Sequence, residues 1–232
     1  MIHAEAPQGG QSEYAIAMAD EIAVKPLSLS HEETAALPIP ALTAWEAILK
    51  QAKLAHGSKV LVTGASGAAG AMLIQVASKI LNAEVVGLAS SANHVMLTEL
   101  GASKVIDYND PSWHEAIDDM DAVFDTVGGE TLASSWRTLK KNGIILTVAD
   151  PAPKWAFGRG KPEELQRYPD VKWLHFIVSA DGGTLTKVAS LLDDGTLKPI
   201  PVKVFEADEA VEAWKYAAQR GRRGKAVTRF MA

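Results

Sequence analysis

The chain has 232 residues, 47% of them hydrophobic, and a formal net charge of −5 at pH 7. This length allows one well-buried core and part of a second one. The acidic balance excludes a global basic field of the kind that steers proteins to nucleic acid or anionic lipid. The absence of cysteine excludes disulfides, thiolate-held zinc and cysteine nucleophiles, and it makes the cytoplasm the expected location.

Signals for targeting and for metal binding are weak throughout the sequence. Residues 1–10 have neither the basic start nor the apolar stretch of a signal peptide. No apolar run reaches about 18 residues, the length that predicts a membrane span. The six histidines never stand at metal-ligand spacing with another ligand. We therefore expect no membrane segment and no metal site.

The most informative local pattern lies at residues 60–70, VLVTGASGAAG. An apolar run predicts a strand, Gly64, Gly67 and Gly70 follow at three-residue spacing, and residues 71–81 form an amphipathic helical pattern. In a dinucleotide-binding unit, such glycines allow a tight turn, close approach of backbone amides to pyrophosphate, and close packing of helix on strand. The helix N-terminus then offers free N–H groups and a partial positive charge. The strand before and the helix after supply the context that this motif requires, so it predicts a phosphate-binding loop.

The following segments alternate between strand and helix patterns. Strands are predicted at 84–88, 104–107, 122–125, 144–148 and 173–178, and helices at 93–100, 113–117 and from Gly129 through Leu139. This alternation predicts a parallel sheet with right-handed crossovers. The strands are nearly continuous apolar runs, as burial on both faces requires. The predicted fold class is therefore α/β, with a doubly wound parallel sheet of Rossmann type.

The end of the second predicted strand bears on the choice of nicotinamide cofactor. Sites specific for NAD carry an acidic residue there, roughly 20 residues after the glycines. Residues 88–93 read LASSAN and contain no carboxylate, while Ser90 and Asn93 offer donors for a 2′-phosphate. The only candidate cation nearby is His94. We predict NADP(H); the alternative is an ordinary helix cap in a protein indifferent to the phosphate.

Several motifs then occur in a fixed order around the glycine loop. They lie at 33–48 (ETAALPIPALTAWEAI), 99–110 (ELGASKVIDYND) and 124–132 (FDTVGGETL). In order and spacing they resemble the medium-chain dehydrogenase/reductase superfamily, and within it the zinc-independent quinone oxidoreductases, or zeta-crystallin group. The resemblance runs from about Gly10 to the end of the chain. It implies NADP(H) as cofactor, no zinc, and a two-fold homodimer whose sheets run together.

The same resemblance implies a set of cofactor contacts. The pyrophosphate is expected at Ser66, Gly67, Ala68 and Ala69, in the cofactor-binding loop that Gly64 and Gly70 complete. The adenosine end is expected at Ser90, Asn93, Tyr108, Val127 and Gly129, and the nicotinamide end at Val148, Ala149, Phe176, Ile177 and Val178. No catalytic residue is assigned, although Thr43 is expected near the nicotinamide. Thr43 is equally expected as the N-cap of a helix over residues 44–49, and the two roles are compatible.

A complete member of that family carries most of a small β-rich, GroES-like catalytic domain ahead of the position of Gly10. The expected fold is therefore a Rossmann-type domain with a partial catalytic domain made from both chain ends. We expect a remnant of that domain at 1–42, with a strand within 9–26, the cofactor domain at 43–195, and a strand–helix–strand return at 196–232.

The implied activity is hydride transfer from NADPH to a quinone or an activated enone. Such acceptors need little acid catalysis, so the protein would act mainly by positioning. This agrees with a sequence that offers no obvious acid–base pair. Two alternatives stay open: a trans-acting enoyl-thioester reductase, and a cofactor-binding protein without turnover that serves as a sensor or structural subunit. The apolar segment 173–178 is expected at the edge of the sheet and in the dimer interface.

Overall fold

The computed structural model describes Ser12, residues 14–219 and residues 221–230. These residues form two compact units: a larger one from Thr43 to Ile177, and a smaller one from the residues up to Leu42 and from Val178 onward. The second boundary differs from the expected one at residue 195. The reason is local packing, since a Cβ placed on Gly182 would lie 2.3 Å from the carbonyl oxygen of Ile22.

The larger unit is built on one six-stranded parallel sheet. In chain order its strands are β1 Lys59–Thr63, β2 Glu84–Leu88, β3 Lys104–Ile106, β4 Met120–Asp125, β5 Leu139–Thr147 and β6 Lys172–His175. The spatial order is β3-β2-β1-β4-β5-β6, and every neighbouring pair is parallel. The predicted doubly wound sheet is confirmed, and so is the place of β6 at its edge. Because all the strands are parallel, their carboxyl ends meet at one edge, where such sheets bind ligands.

The largest differences from the predicted strand boundaries are in β5 and β6. Met120 pairs with Leu139 but Ala122 pairs with Ile144, so the pairing of β4 and β5 is irregular and β5 begins earlier than expected. The edge strand β6 ends at His175, so residues 176–178 follow the strand rather than extend it.

Helices connect the strands. They are α1 His31–Ala35, α2 Pro38–Trp45, α3 Ala68–Leu81, α4 His94–Leu100, α5 Gly129–Ser135, α6 Gly182–Asp193 and α7 Ala210–Ala218. A π-helix over Glu46–Gln51 follows α2, and 3₁₀ turns lie at Ala19–Glu21, Ser91–Asn93, Trp113–Ala116, Trp136–Thr138, Ala156–Gly158, Glu163–Gln166 and Ala207–Glu209. As predicted, α4 ends at Gly101, which has φ 114°. The helix expected to reach Leu139 instead stops at Ser135 and passes through a 3₁₀ turn.

The expected N-cap role of Thr43 is wrong. Thr43 lies inside α2, which already begins at Pro38. Proline suits the first turn of a helix because it lacks the N–H group that this turn leaves unpaired. Thr43 is instead a buried residue of the helix interior, 4% exposed.

The core of the larger unit lies against both faces of the sheet. The centre of β1 is fully enclosed, with Val60, Leu61 and Val62 all 0% exposed. One cluster of buried side chains joins Leu61 to Trp136. Each fully buried side chain of this size stabilises the fold by about 1.5–3 kcal/mol. This rigid sheet fixes the positions of the loops at its carboxyl edge.

The smaller unit contains the predicted strand–helix–strand return. Strands β7 Val202–Glu206 and β8 Lys225–Arg229 pair in parallel, with α7 between them in the chain. The prediction of a strand within residues 9–26 is wrong for the described part of that segment, which contains a 3₁₀ turn and no strand. No described neighbour pairs with its backbone. None of the helices in the described ranges combines the length and the apolar character needed to span a membrane.

Candidate functional site

The loop between β1 and α3 has the geometry of a phosphate cradle. Gly64 adopts φ +59°, and a Cβ there would lie 2.3 Å from Thr126 Oγ1. A Cβ on Gly70 would lie 2.3 Å from the carbonyl oxygen of Gly64. Gly67 differs, because it is exposed and its Cβ would meet only the Gly64 carbonyl oxygen, at 3.2 Å. The first and third glycines therefore serve the turn and the packing, and the second keeps the exposed side of the loop free of a side chain.

Helix α3 begins at this exposed side of the loop. Gly67 is its N-cap residue, and no side chain of the described residues caps the first turn. The first intrahelical bond runs from Ala71 N to Gly67 O, at 2.8 Å. Ser66 is exposed, and Ala68 and Ala69 are half-buried. The free N–H groups of this first turn can donate to an anion, and the helix dipole favours negative charge there.

The predicted adenosine-end residues follow the ends of β2 and β3. Asn93 Nδ2 donates to Ser90 Oγ at 2.9 Å, so this predicted pair is in contact. Tyr108 is 54% exposed. The ring of His94 lies partly inside, since its Nε2 atom is buried and has no partner among the described residues.

A carboxylate that the sequence reasoning missed lies beside this pair. Asp107 Oδ2 accepts a hydrogen bond from Ser91 N at 3.1 Å, across 16 residues of chain. The backbone N–H of Asn109 is the largest cause that lowers the pKa of Asp107, so this carboxyl is ionised at neutral pH. Residues 88–93 contain no carboxylate themselves, but Asp107 brings a negative charge beside them, which weakens the argument for a 2′-phosphate.

A buried polar network lies where β1, β4 and β5 end. Asp125 is 1% exposed and accepts hydrogen bonds from Thr63 Oγ1 at 2.6 Å and from Thr147 Oγ1 at 2.7 Å. It also accepts from Gly128 N at 3.0 Å and Val127 N at 3.2 Å. Sequence reasoning treated these residues as ordinary strand ends. The available signal was a polar residue closing each of three apolar strands.

The predicted nicotinamide-end residues follow β5 and β6. Val148 N donates to Asp125 O at 2.9 Å, and Ala149 N donates to Thr147 Oγ1 at 3.1 Å. These N–H groups are thus already bonded within the chain, which leaves other backbone atoms for a ligand.

Two of the remaining predicted residues, Thr43 and Phe176, line one small cavity with Val148 and with Asp125, which was not predicted. Val127 and Ile177 are 48% and 51% exposed, and Gly129 has φ +56° with open space beside it. Val178 is 7% exposed and belongs to the other compact unit.

The donor groups present do not fit a zinc ion. Within the described ranges no three histidine, aspartate or glutamate side chains are placed to hold a metal. The chain has no cysteine to supply a thiolate. Zinc sites in proteins take three or four such ligands.

Comparison with known proteins identifies the relatives of this fold. The family model described as zinc-binding dehydrogenase matches residues 100–227. A probable mitochondrial zinc-binding oxidoreductase of Arthroderma benhamiae is 31% identical over 96% of this chain and 70% of its own length. The 2-methylene-furan-3-one reductase of Solanum lycopersicum is 31% identical over 94% of this chain and 52% of its own.

A polyketide synthase of Streptomyces halstedii is 31% identical over 94% of this chain, which corresponds to 4% of that protein. Among solved structures, the quinone oxidoreductase from Coxiella burnetii has a TM-score of 0.77 at 31% identity, covering 90% of this chain and 64% of that one. The chain thus spans about half to two-thirds of most single-enzyme relatives.

A parallel sheet of Rossmann type with a glycine-rich phosphate loop defines the class of dinucleotide-binding α/β proteins. Within that class, the chain belongs to the zinc-binding dehydrogenase family of the medium-chain dehydrogenase/reductase superfamily.

Proposed function

We propose that the chain is an NADPH-dependent oxidoreductase that reduces a quinone or an activated enone without zinc. The observation that carries this proposal is the loop of Gly64, Gly67 and Gly70, in which the exposed Gly67 forms the N-cap of α3 and no described side chain caps that helix. Relatives named as a quinone oxidoreductase and as a furanone reductase support the acceptor class.

The chain's own residues would bind and orient the cofactor. Backbone N–H groups of residues 68–70 would hold the pyrophosphate, with Val127 and Gly129 beside the ribose and Ser90 and Asn93 at the adenosine. Bound NADPH would supply the hydride. None of the residues predicted at the nicotinamide end is a histidine, lysine or arginine. This suits an acceptor whose developing charge is delocalised and needs no strong general acid.

The proposal is tested by separating binding from turnover. The chain has six tryptophans, so NADPH binding is followed by quenching of their fluorescence. Oxidation of NADPH is then followed with a benzoquinone, an α,β-unsaturated ketone and, as matched control, the saturated ketone. We expect saturable binding and oxidation by the first two acceptors only. Binding without oxidation would favour a cofactor-binding protein without turnover, and absence of binding would overturn the proposal.

A second candidate activity is reduction of an enoyl thioester. The similarity to a segment of a polyketide synthase over 94% of this chain favours it. Quinones and enoyl thioesters both contain a conjugated carbonyl system that accepts hydride, so the same cofactor site would serve both. A crotonyl thioester of N-acetylcysteamine distinguishes them. Oxidation of NADPH by this thioester at a higher kcat/KM than by the quinone would assign the second activity.

A further inference from the structure

One buried carboxylate contacts all three segments that the proposed cofactor site needs. Asp125 Oδ1 accepts from Thr63 Oγ1, and Thr63 directly precedes the phosphate loop. The same carboxylate accepts from Val127 N and Gly128 N, in the loop expected beside the ribose. Its Oδ2 accepts from Thr147 Oγ1, which also accepts from Ala149 N at the nicotinamide end.

These contacts bond the loop that contains Gly128 and Gly129. The two glycines adopt φ +77° and +56°, a region that glycine populates as readily as negative φ. The loop also lies directly against the phosphate cradle, since Thr126 Oγ1 donates to Thr63 O at 3.0 Å. A shift of Asp125 would therefore move the ribose loop and the phosphate loop relative to each other.

The charge of Asp125 matters to this role. All four groups that face its carboxylate in the described residues are donors: two hydroxyls and two backbone N–H groups. A carboxylate accepts hydrogen bonds from all four donors. The side-chain amide of an asparagine has the same shape, but its NH₂ group would face some of these donors with another donor. A buried donor that loses its acceptor destabilises the arrangement it belongs to.

We propose that Asp125 is the positioning residue of the dinucleotide site. It does not touch the cofactor, but sets the spacing between phosphate loop, ribose loop and nicotinamide segment. This inference rests on the proposed cofactor binding. In this role, Asp125 holds Thr63, Thr147 and Gly128 at fixed distances from one another.

The test compares cofactor affinity with stability in purified variants. For Asp125→Asn we expect the Kd for NADPH and the Kd for NADH each to rise about tenfold, with their ratio unchanged. The ratio stays constant because the network holds the part common to both cofactors. Thr147→Val should raise both Kd values as well, since valine keeps the volume but removes the hydroxyl. Thr147→Ser should restore most of the lost affinity.

A matched control separates positioning from general loss of stability. Thr138 is 0% exposed and donates to Ser135 O at 2.8 Å, just before the amino end of β5. Thr138→Val should lower the melting temperature as Thr147→Val does, yet leave both Kd values unchanged. Equal loss of affinity in both valine variants would overturn the inference, as would wild-type Kd values in Asp125→Asn and Thr147→Val.

The outcomes for the two proposals are distinguishable. If the wild-type chain binds neither NADPH nor NADH, the proposed function fails. If it binds them and Thr147→Val binds equally well, only the positioning role fails. Should Asp125→Asn not fold, the Thr147 pair decides the question alone, because both of its members keep the Asp125 carboxylate.

Discussion

Single residues of the phosphate loop differ in what a side chain there would displace. A Cβ on Gly64 or Gly70 would overlap protein atoms at 2.3 Å, so substitution at either position disturbs the fold itself. Gly67 is exposed, and a Cβ there would meet a single atom, the carbonyl oxygen of Gly64, in a tight contact at 3.2 Å. It is therefore the glycine of the three whose substitution disturbs the fold least.

Replacing Gly67 by valine should abolish binding of NADPH and NADH while the melting temperature changes little. The branched side chain would occupy the space before the first turn of α3, where the pyrophosphate is expected. Fluorescence titration measures the binding, and thermal unfolding measures the stability. Ser66→Val, on the exposed neighbour, is the matched control and should bind more tightly than Gly67→Val. Normal binding by Gly67→Val would mean that the loop does not contact phosphate.

The carboxylate of Asp107 bears on the choice between the two cofactors. It bonds Ser91 N at 3.1 Å, next to the pair of Ser90 and Asn93. We expect Asp107→Asn to strengthen the binding of NADPH more than the binding of NADH, because it removes a negative charge near the expected 2′-phosphate. Ser90→Asp should have the opposite effect, since it adds one.

Competitive titration with NADPH and NADH gives the ratio of the two affinities for each variant. Asp110→Asn is a suitable control because Asp110 is also an exposed, hydrogen-bonded carboxylate, which bonds Ser112 rather than Ser91. If the ratio of the NADPH and NADH affinities is unchanged in both Asp107→Asn and Ser90→Asp, the residues after β2 do not distinguish the 2′-phosphate.

The elements themselves were predicted well where local pattern decides the structure. The bounds of β2 and the end of α4 at Gly101 coincide with the prediction, because an apolar run and a left-handed glycine act over a few residues. The start of β5 was missed because it depends on register with β4, a non-local property. The N-terminal strand was predicted but is not found in the described residues, for a related reason: a strand needs a partner, and none of the described neighbours pairs with this segment.

The candidate site was also predictable only where its residues are close together in the sequence. Its glycine loop could be identified from sequence, since strand, glycines and helix are contiguous. The network of Asp125 could not, because its partners Thr63 and Thr147 lie 62 and 22 residues away in the chain. Parallel topology brings such strand ends together at one edge. A reading of the sequence that aligned the last residue of each strand would have found them.

A pH-dependent contact joins α1 to the small sheet. Arg229 donates to Glu32 Oε1 from Nε at 3.0 Å and from Nη2 at 2.8 Å. A backbone hydrogen bond of Glu32 and then the Arg229 side chain lower the pKa of Glu32 from 4.5 to about 2. The folded pKa is lower than the unfolded one, so this stabilisation is fully present above pH 4.5 and is lost as the pH falls towards 2.

The wild-type chain should therefore lose more stability than Glu32→Gln as the pH is lowered from about 6 to about 3. Urea unfolding midpoints at each pH measure this difference. Glu206→Gln is the matched control: it removes the other carboxylate of Arg229, at 2.8 Å, and leaves Glu32 in place. It should keep the acid-dependent loss that Glu32→Gln lacks. Parallel pH profiles of the wild type and Glu32→Gln would contradict the assignment.

At the scale of the whole molecule, the two edges of the six-stranded sheet differ. One edge is β3, only three residues long with an exposed Lys104, and such short charged strands discourage pairing. The other edge, β6, is also short and carries the exposed Lys172, but it adds half-buried Trp173 and Leu174 and is followed by Ile177, 51% exposed. Phe176 is 8% exposed within its own chain, so Ile177 is the better position at which to test the interface predicted for residues 173–178.

We expect the chain to form a homodimer in which the β6 edges of two copies lie together, since an apolar unpaired edge favours association. Light scattering at micromolar concentration should give twice the mass of one chain. Ile177→Lys should shift this mass towards the monomer, because it would place two like charges near the two-fold axis. Val95→Lys provides the control, since Val95 is 74% exposed on α4 and lies outside the predicted interface. A wild-type monomer would refute the prediction, and equal dissociation by both lysine variants would place the interface elsewhere.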